Sequence, residues 1–276
     1  GGGMGGICTA ISAARLGVKV ALVQNRPVLG GNNSSEVRVH LGARIRQEPW
    51  SELGNLVNEI GPTRGGNAQP KDYYEDEKKL KAVLAEKNIS LYLNCHANEV
   101  LAEGGKIKSV TTQNIETGEK LRFKAPLFAD CTGDGTIGFL AGAKFMQGRE
   151  SRDIFGEQTA PERADSLTMG ASVQWFAHKQ DAPAPFPDIE WGIELSEEKS
   201  HAITKGDWDW ETGMGIDHTK DFERVRDYGI LVVFSNWSYV KNYSKVKADF
   251  TSEQLQWVAF VAGKRESRRL VGDYVL

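Results

Sequence analysis

The chain begins Gly1-Gly2-Gly3-Met4-Gly5-Gly6, and no other stretch constrains its fold as strongly. Gly1, Gly3 and Gly6 have the spacing G-x-G-x-x-G. Residues 7–16 then read as a small-residue helix closed by Gly17, and residues 18–23, apolar except for Lys19, form a run of strand length. In that order the glycines serve three different needs. The first permits a tight turn, the second lets backbone approach a pyrophosphate, and the third lets the helix pack closely on a strand. The pyrophosphate would sit on the helix N-terminus, where unpaired N–H groups and the helix dipole favour negative charge. Among 30 glycines the spacing alone can arise by chance, but small residues at Ala10, Ser12, Ala13 and Ala14 suit a helix pressed on a sheet. An acid that binds ribose is expected about 20 residues beyond the motif. Gln24 stands there, and its amide oxygen can accept a ribose hydroxyl without bringing charge. On this reading Gln24→Leu weakens binding and Gln24→Glu retains it.

Three further motifs follow in order. Arg26-Pro27-Val28-Leu29-Gly30-Gly31-Asn32-Asn33-Ser34-Ser35 places a Gly-Gly doublet after the strand, residues 125–132 are a mainly apolar run, broken by Asp130, that reads as a strand entering Gly133-Asp134-Gly135, and Arg265-Glu266-Ser267-Arg268-Arg269-Leu270-Val271-Gly272-Asp273-Tyr274 lies near the end. The doublet resembles the second fingerprint of the glutathione-reductase-like flavoproteins. Cys131-Thr132-Gly133-Asp134-Gly135 resembles the Ala-Thr-Gly-Asp-Gly element of the FAD-dependent oxidoreductase family, with Cys131 in place of the alanine, and the last motif looks like a signature of that family. The resemblance covers nearly the whole chain, more loosely over 145–264. It implies FAD as cofactor, held by Gly1, Gly3, Gly6, Gln24, Arg26, Gly30, Gly31, Asn32, Ser34, Ser35, Thr132, Gly133, Asp134 and Gly135. It also implies an α/β fold: a Rossmann-like FAD-binding doubly wound sheet with a β-meander, plus an aromatic-rich α+β substrate region.

The expected division is an FAD-binding domain over 1–143, a substrate or cap region over 144–264, and a return to the first domain over 265–276. A dinucleotide fold needs a strand before its first glycine, yet Gly1 is that glycine, and 270–276 reads as a strand with no closing element. The sequence therefore reads as a fragment of a longer protein, inactive alone, and the lack of a signal peptide says nothing about compartment. The cytoplasm is slightly favoured.

A net charge of −3 and 26% charged residues argue against a polyanion-binding surface, and no apolar run approaches the roughly 20 residues of a spanning helix. The expected partner is a small molecule rather than nucleic acid or membrane; oligomeric state is open. Cys8, Cys95 and Cys131 are widely separated, so no metal site is indicated, and they read as small buried hydrophobes. Hydrolase, zinc-protease and Walker motifs are missing from the sequence.

Between the motifs, helices are expected over 51–60, capped by Ser51 and stopped at Gly61, and over 72–88, where the Glu-Asp-Glu-Lys-Lys run reads as a solvated face. Strands are expected over 89–95, 99–101, 106–115 and 120–124. The stretch 34–42 alternates polar and apolar residues, as an edge strand does. In flavoproteins of the resembled type the chain after the doublet passes close to the flavin, which makes Glu36, Arg38 and His40 catalytic candidates. His40 leads for proton transfer, because histidine alone titrates near neutrality unaided; a purely structural histidine is the equal alternative. Six of the seven tryptophans lie beyond residue 145. There 167–179 reads as strand, 219–239 and 252–264 as mainly helical. The loop Gly206-Asp207-Trp208-Asp209-Trp210-Glu211 offers stacking rings beside carboxylates, as a sugar-like substrate needs, although tryptophans more often serve a core. The reading as a whole is an FAD-dependent oxidoreductase taking hydride from a small hydroxyl- or amine-bearing substrate. Its alternatives are a non-catalytic flavin- or nucleotide-binding module and an NAD(P)-dependent oxidoreductase.

Overall fold

The computed structural model describes residues 1–42, 46–207 and 209–273. Helix α1 (Met4–Arg15) buries Gly6, Ile7, Ala10, Ile11 and Ala14, a single stripe at helical spacing, against strand β1 (Val20–Val23). Helices α2 (Asn55–Ile60) and α3 (Asp76–Ala85) pack beside α1, while β1 pairs in parallel with β2 (Ile89–Tyr92), Val20 opposite Ile89 and Val23 opposite Tyr92. Ile7, Ile11, Leu22, Leu29, Ile60 and Val83 close one core. Each such side chain taken out of water contributes about 1.5–3 kcal/mol, so this layer holds the glycine turn on a rigid base.

Local expectations hold best where the cause is local. The meander is present as the antiparallel strands β3 (Cys95–Glu103), β4 (Lys106–Asn114) and β5 (Lys120–Phe123), in that spatial order. The first expected helix begins later than its proposed cap, at Gly54 rather than Ser51, and stops at Gly61 as expected. The second is split into a 3₁₀ turn over Lys71–Tyr74 and α3, because Glu75 takes a left-handed conformation while its carboxylate accepts the Thr63 N–H and hydroxyl.

No doubly wound sheet forms among the described residues. Pairing is a property of neighbours rather than of an apolar run: β1 pairs only with β2 there, and 125–132, expected as a strand, has no ladder partner. Both segments line one large cavity instead. The fold is mixed α/β with several small sheets.

Beyond α4 (Thr136–Leu140) come β6 (Phe145–Met146), α5 (Arg152–Phe155), β7 (Ala171–Ser172), β8 (Trp175–Lys179), β9 (Lys205–Gly206) and β10 (Glu211–Thr212). The 21-residue helix α6 (Phe222–Asn242), strand β11 (Glu253–Val258) and strand β12 (Arg269–Leu270) follow. The helix expected over 252–264 is β11, antiparallel to β8. Leu255 and Trp257 alternate with Gln254 and Gln256, a period of two that packs one face inward. Strand β12 ends at Leu270, and residues 274–276 of the strand expected over 270–276 lie outside the described residues. The second core centres on Trp175 and Trp237, edge to face at 5.6 Å, with Val225, Val233 and Val240 of α6. Among the described residues no helix is long and apolar enough to cross a membrane.

Candidate functional site

The glycine turn opens onto a cavity of about 1980 Å³. Gly3 caps α1 in an extended conformation, with no side chain capping the helix and no acid in its first turn. The cavity wall there is Gly3, Met4, Gly5 and Gly6, so the start of α1 offers its N–H groups to whatever enters. Opposite it runs the doublet. Gly30 and Gly31 have φ of 115° and 62°, values that side chains rarely adopt, and this lets the doublet fold back until Gly3 and Gly30 bridge and the Gly30 N–H reaches the Gly2 carbonyl at 2.8 Å. A Cβ on Gly3 would meet nothing nearer than the Gly31 Cα at 3.9 Å. The open face of Gly3 is thus space within the cavity, where a bulky anion could lie against backbone.

The stretch after the doublet is not an edge strand. The Ser34 carbonyl accepts the Val37 and Arg38 N–H groups, at 3.3 and 2.8 Å, and the chain turns there. Ser34, Glu36 and His40 remain on the cavity wall, while Ser35 and Arg38 do not. The Ser35 N–H donates to the Asp76 carboxylate at 3.2 Å. Arg38 has φ of 66°, which turns its buried side chain toward the second region. Its guanidinium lies 3.7 Å over Trp257 and donates to the Ser35 and Gln69 carbonyls, and burial pushes its pKa down. Arg38 therefore bridges the doublet loop and Trp257 of the second region, with its side chain off the cavity wall. Glu36 is held by Arg26 in a two-point ion pair at 2.9 and 2.5 Å, which raises the pKa of Arg26. That pair engages both oxygens of the Glu36 carboxylate at the cavity wall. His40 is exposed on the wall, its N–H donating to Asn67 Oδ1 at 2.6 Å.

Gln24 also departs from the expectation. It is buried behind the turn, where Oε1 accepts the Gly2 N–H at 2.7 Å and Nε2 donates to the Val28 carbonyl at 3.2 Å. Its amide shapes the glycine loop through both of these bonds, at the wall of the cavity. The expected mutational outcome changes with it. Gln24→Leu leaves the Gly2 N–H unpaired at a cost of about 1–3 kcal/mol. Gln24→Glu keeps that acceptor but turns a carboxylate oxygen on the Val28 carbonyl, so it too should weaken FAD binding and lower the unfolding temperature of the apoprotein. Titration with FAD and a melting curve check both; a Glu variant indistinguishable from wild type would show that the Val28 bond is idle.

Elsewhere in the third motif, Thr132 Oγ1 donates to Asp130 at 2.7 Å and accepts the Thr136 N–H, while Asp130 also accepts the Gly138 N–H at 2.9 Å. This network fixes Gly133 and Gly135, both at positive φ, at the mouth of α4. Asp134 faces the cavity, with one carboxylate oxygen on Ser267 Oγ at 2.7 Å and the other on Lys264 Nζ. Asn32 Nδ2 donates to the Lys264 carbonyl at 2.8 Å. Phe222, Arg226 and Phe260 carry the wall into the second region.

Some contributors escaped the sequence reading. Lys79, assigned to a solvated face, is fully buried under Gly30, donating to the Tyr74 carbonyl 3.6 Å from Asp76, and burial lowers its pKa. Tyr74, buried as well, donates to the Arg38 carbonyl at 2.6 Å. The signal was weak but present: Asp76 and Lys79 stand three apart and so share one face of α3. The described residues of the tryptophan and carboxylate loop are off the cavity wall. Asp207 accepts Asn67 Nδ2 at 3.3 Å, Glu211 pairs with Arg265 at 3.0 Å and Trp210 packs on His201, while Trp208 lies outside the described residues. Asp207, Trp210 and Glu211 of this loop thus make contacts within the protein.

A glycine turn opening an uncapped helix, a doublet folded against it and a third glycine-rich element on the same cavity define a dinucleotide-binding α/β protein. The family model described as FAD dependent oxidoreductase matches residues 1–276, and the chain belongs to that family. It is a flavoprotein with FAD as its cofactor. No curated protein matches it.

Proposed function

We propose that FAD lies in this cavity with its diphosphate between Gly3 and Gly31 at the start of α1, and that the protein oxidises a small substrate bearing a hydroxyl or amine. The observation that carries the reading is the open face of Gly3 opposite the doublet, at a helix N-terminus left uncapped. FAD supplies the hydride acceptor when bound. The chain supplies the rest: the α1 N–H groups bind the diphosphate, the Asp130, Thr132 and Asp134 element holds the far side of the cavity, and His40 receives the proton that leaves the substrate. Asn67 fixes the His40 backbone from one side and reaches Asp207 on the other, so the second region orders the residue that handles the proton.

The visible spectrum followed by anaerobic addition of a panel of alcohols and amines tests this. The expected result is a yellow protein bleached by at least one member of the panel. A yellow protein that no member bleaches favours the non-catalytic module, and a colourless protein that reduces NAD(P) instead would overturn the cavity assignment.

A further inference from the structure

Lys264 was marked by no motif, yet three parts of the site meet on it. Its carbonyl accepts Asn32 of the doublet loop, its ammonium pairs with Asp134 of the third glycine element, and the same ammonium stands 4.7 Å from the Phe222 ring at the start of α6. Lys264 and Asp134 both line the cavity, about one quarter and one fifth exposed, so this is an ion pair on the wall rather than on the outer surface. Arg268 also meets Asp134, but through its backbone carbonyl at 3.0 Å, whereas the Asp134 carboxylate pairs with Lys264.

We infer that Lys264 is a cofactor-site residue supplied by the second region: it neutralises Asp134 and so lets a dianionic diphosphate share the cavity with that carboxylate. The inference rests on the cavity being the FAD site. Like charges in a partly dehydrated cleft repel, and a lone carboxylate facing it opposes anion binding; a paired one does not. The placement also ties cofactor binding to docking of the second region, since the residue that compensates the first region's acid belongs to the second.

A double-mutant cycle on FAD affinity of the apoprotein tests the role of charge. Lys264→Met should weaken FAD binding about 10- to 100-fold, the range of coupling between contacting charged groups, and Lys264→Arg should retain most of it. Adding Asp134→Asn to Lys264→Met should recover affinity to that of Asp134→Asn alone, because the uncompensated charge is gone while Ser267 can still donate to the amide oxygen. The Lys264→Met deficit should also shrink at about 0.5 M salt, where screening acts over roughly 4 Å. If Lys264 only packs the interface, Lys264→Met loses affinity without recovery by Asp134→Asn and without salt dependence, which overturns the inference, as does unchanged binding in Lys264→Met. If wild type itself takes up no FAD, the cavity assignment fails and this inference falls with it, a result distinct from failure of the cycle alone.

Discussion

Gly3→Val should strip the protein of FAD while leaving the apoprotein's unfolding temperature nearly unchanged. The two halves of that expectation have separate causes. Gly3 has φ of −66° and ψ of 175°, a conformation valine adopts without strain, and its Cβ would find the nearest atom 3.9 Å away. Folding therefore loses little; surface substitutions of this kind stay within about 0.5 kcal/mol. The branched side chain would nevertheless stand in the space where backbone must approach the diphosphate, and affinity should fall by more than about 100-fold, a loss near 2.7 kcal/mol. Gly6 is the contrast. A Cβ there would collide with the Gly1 carbonyl oxygen, so Gly6→Ala should damage the fold itself. Absorbance of bound flavin and an apoprotein melting curve, read on both variants, separate the cases. Normal flavin content in Gly3→Val would remove this loop from the cofactor site.

The parts of the molecule that sequence revealed are those in which one residue type answers one local demand. Glycines at positions 1, 6, 30 and 31 are demanded by close approach or by φ, and both are visible in a one-dimensional string. The meander strands were legible over 99–101, 106–115 and 120–124, and glycines at positive φ, Gly104 and Gly105, turn the chain between the first two. Direction was not legible. Alternation over 34–42 would place Glu36, Arg38 and His40 on one side, but the turn at Ser34 and the left-handed backbone at Arg38 send Arg38 to Trp257 and leave His40 on the cavity. Gln24 was recognised as standing at the ribose position, yet its partners are backbone groups brought near only when the doublet folds back. Pairing was not legible either: 125–132 has a strand's composition without a strand's neighbour, and 252–264 reads as helix until β8 is seen beside it. Lys79 and Lys264 show the same limit, for a lysine in a charged run looks solvated until the chain covers it.

That same turn at Ser34 is what makes His40 testable as the proton acceptor. Arg38 is turned away and Glu36 is paired with Arg26, which leaves His40, exposed on the cavity wall and held by Asn67 at its backbone. Oxidation of an alcohol or amine by hydride loss also releases a proton, and a positioned general base contributes about 10²- to 10⁴-fold to such a step. His40→Ala should therefore leave FAD affinity and the flavin spectrum intact and slow anaerobic flavin reduction, by whichever substrate bleaches the wild type, by about that factor. Because the side chain is exposed, imidazole added from solution can reach the vacated space and should restore part of the rate in the Ala variant and none in wild type. Asn67→Ala, which frees the His40 backbone but keeps the ring, should slow reduction less than His40→Ala. A packing role for His40 would instead appear as loss of FAD or of thermal stability with no imidazole rescue. An unchanged reduction rate in His40→Ala would end its candidacy outright.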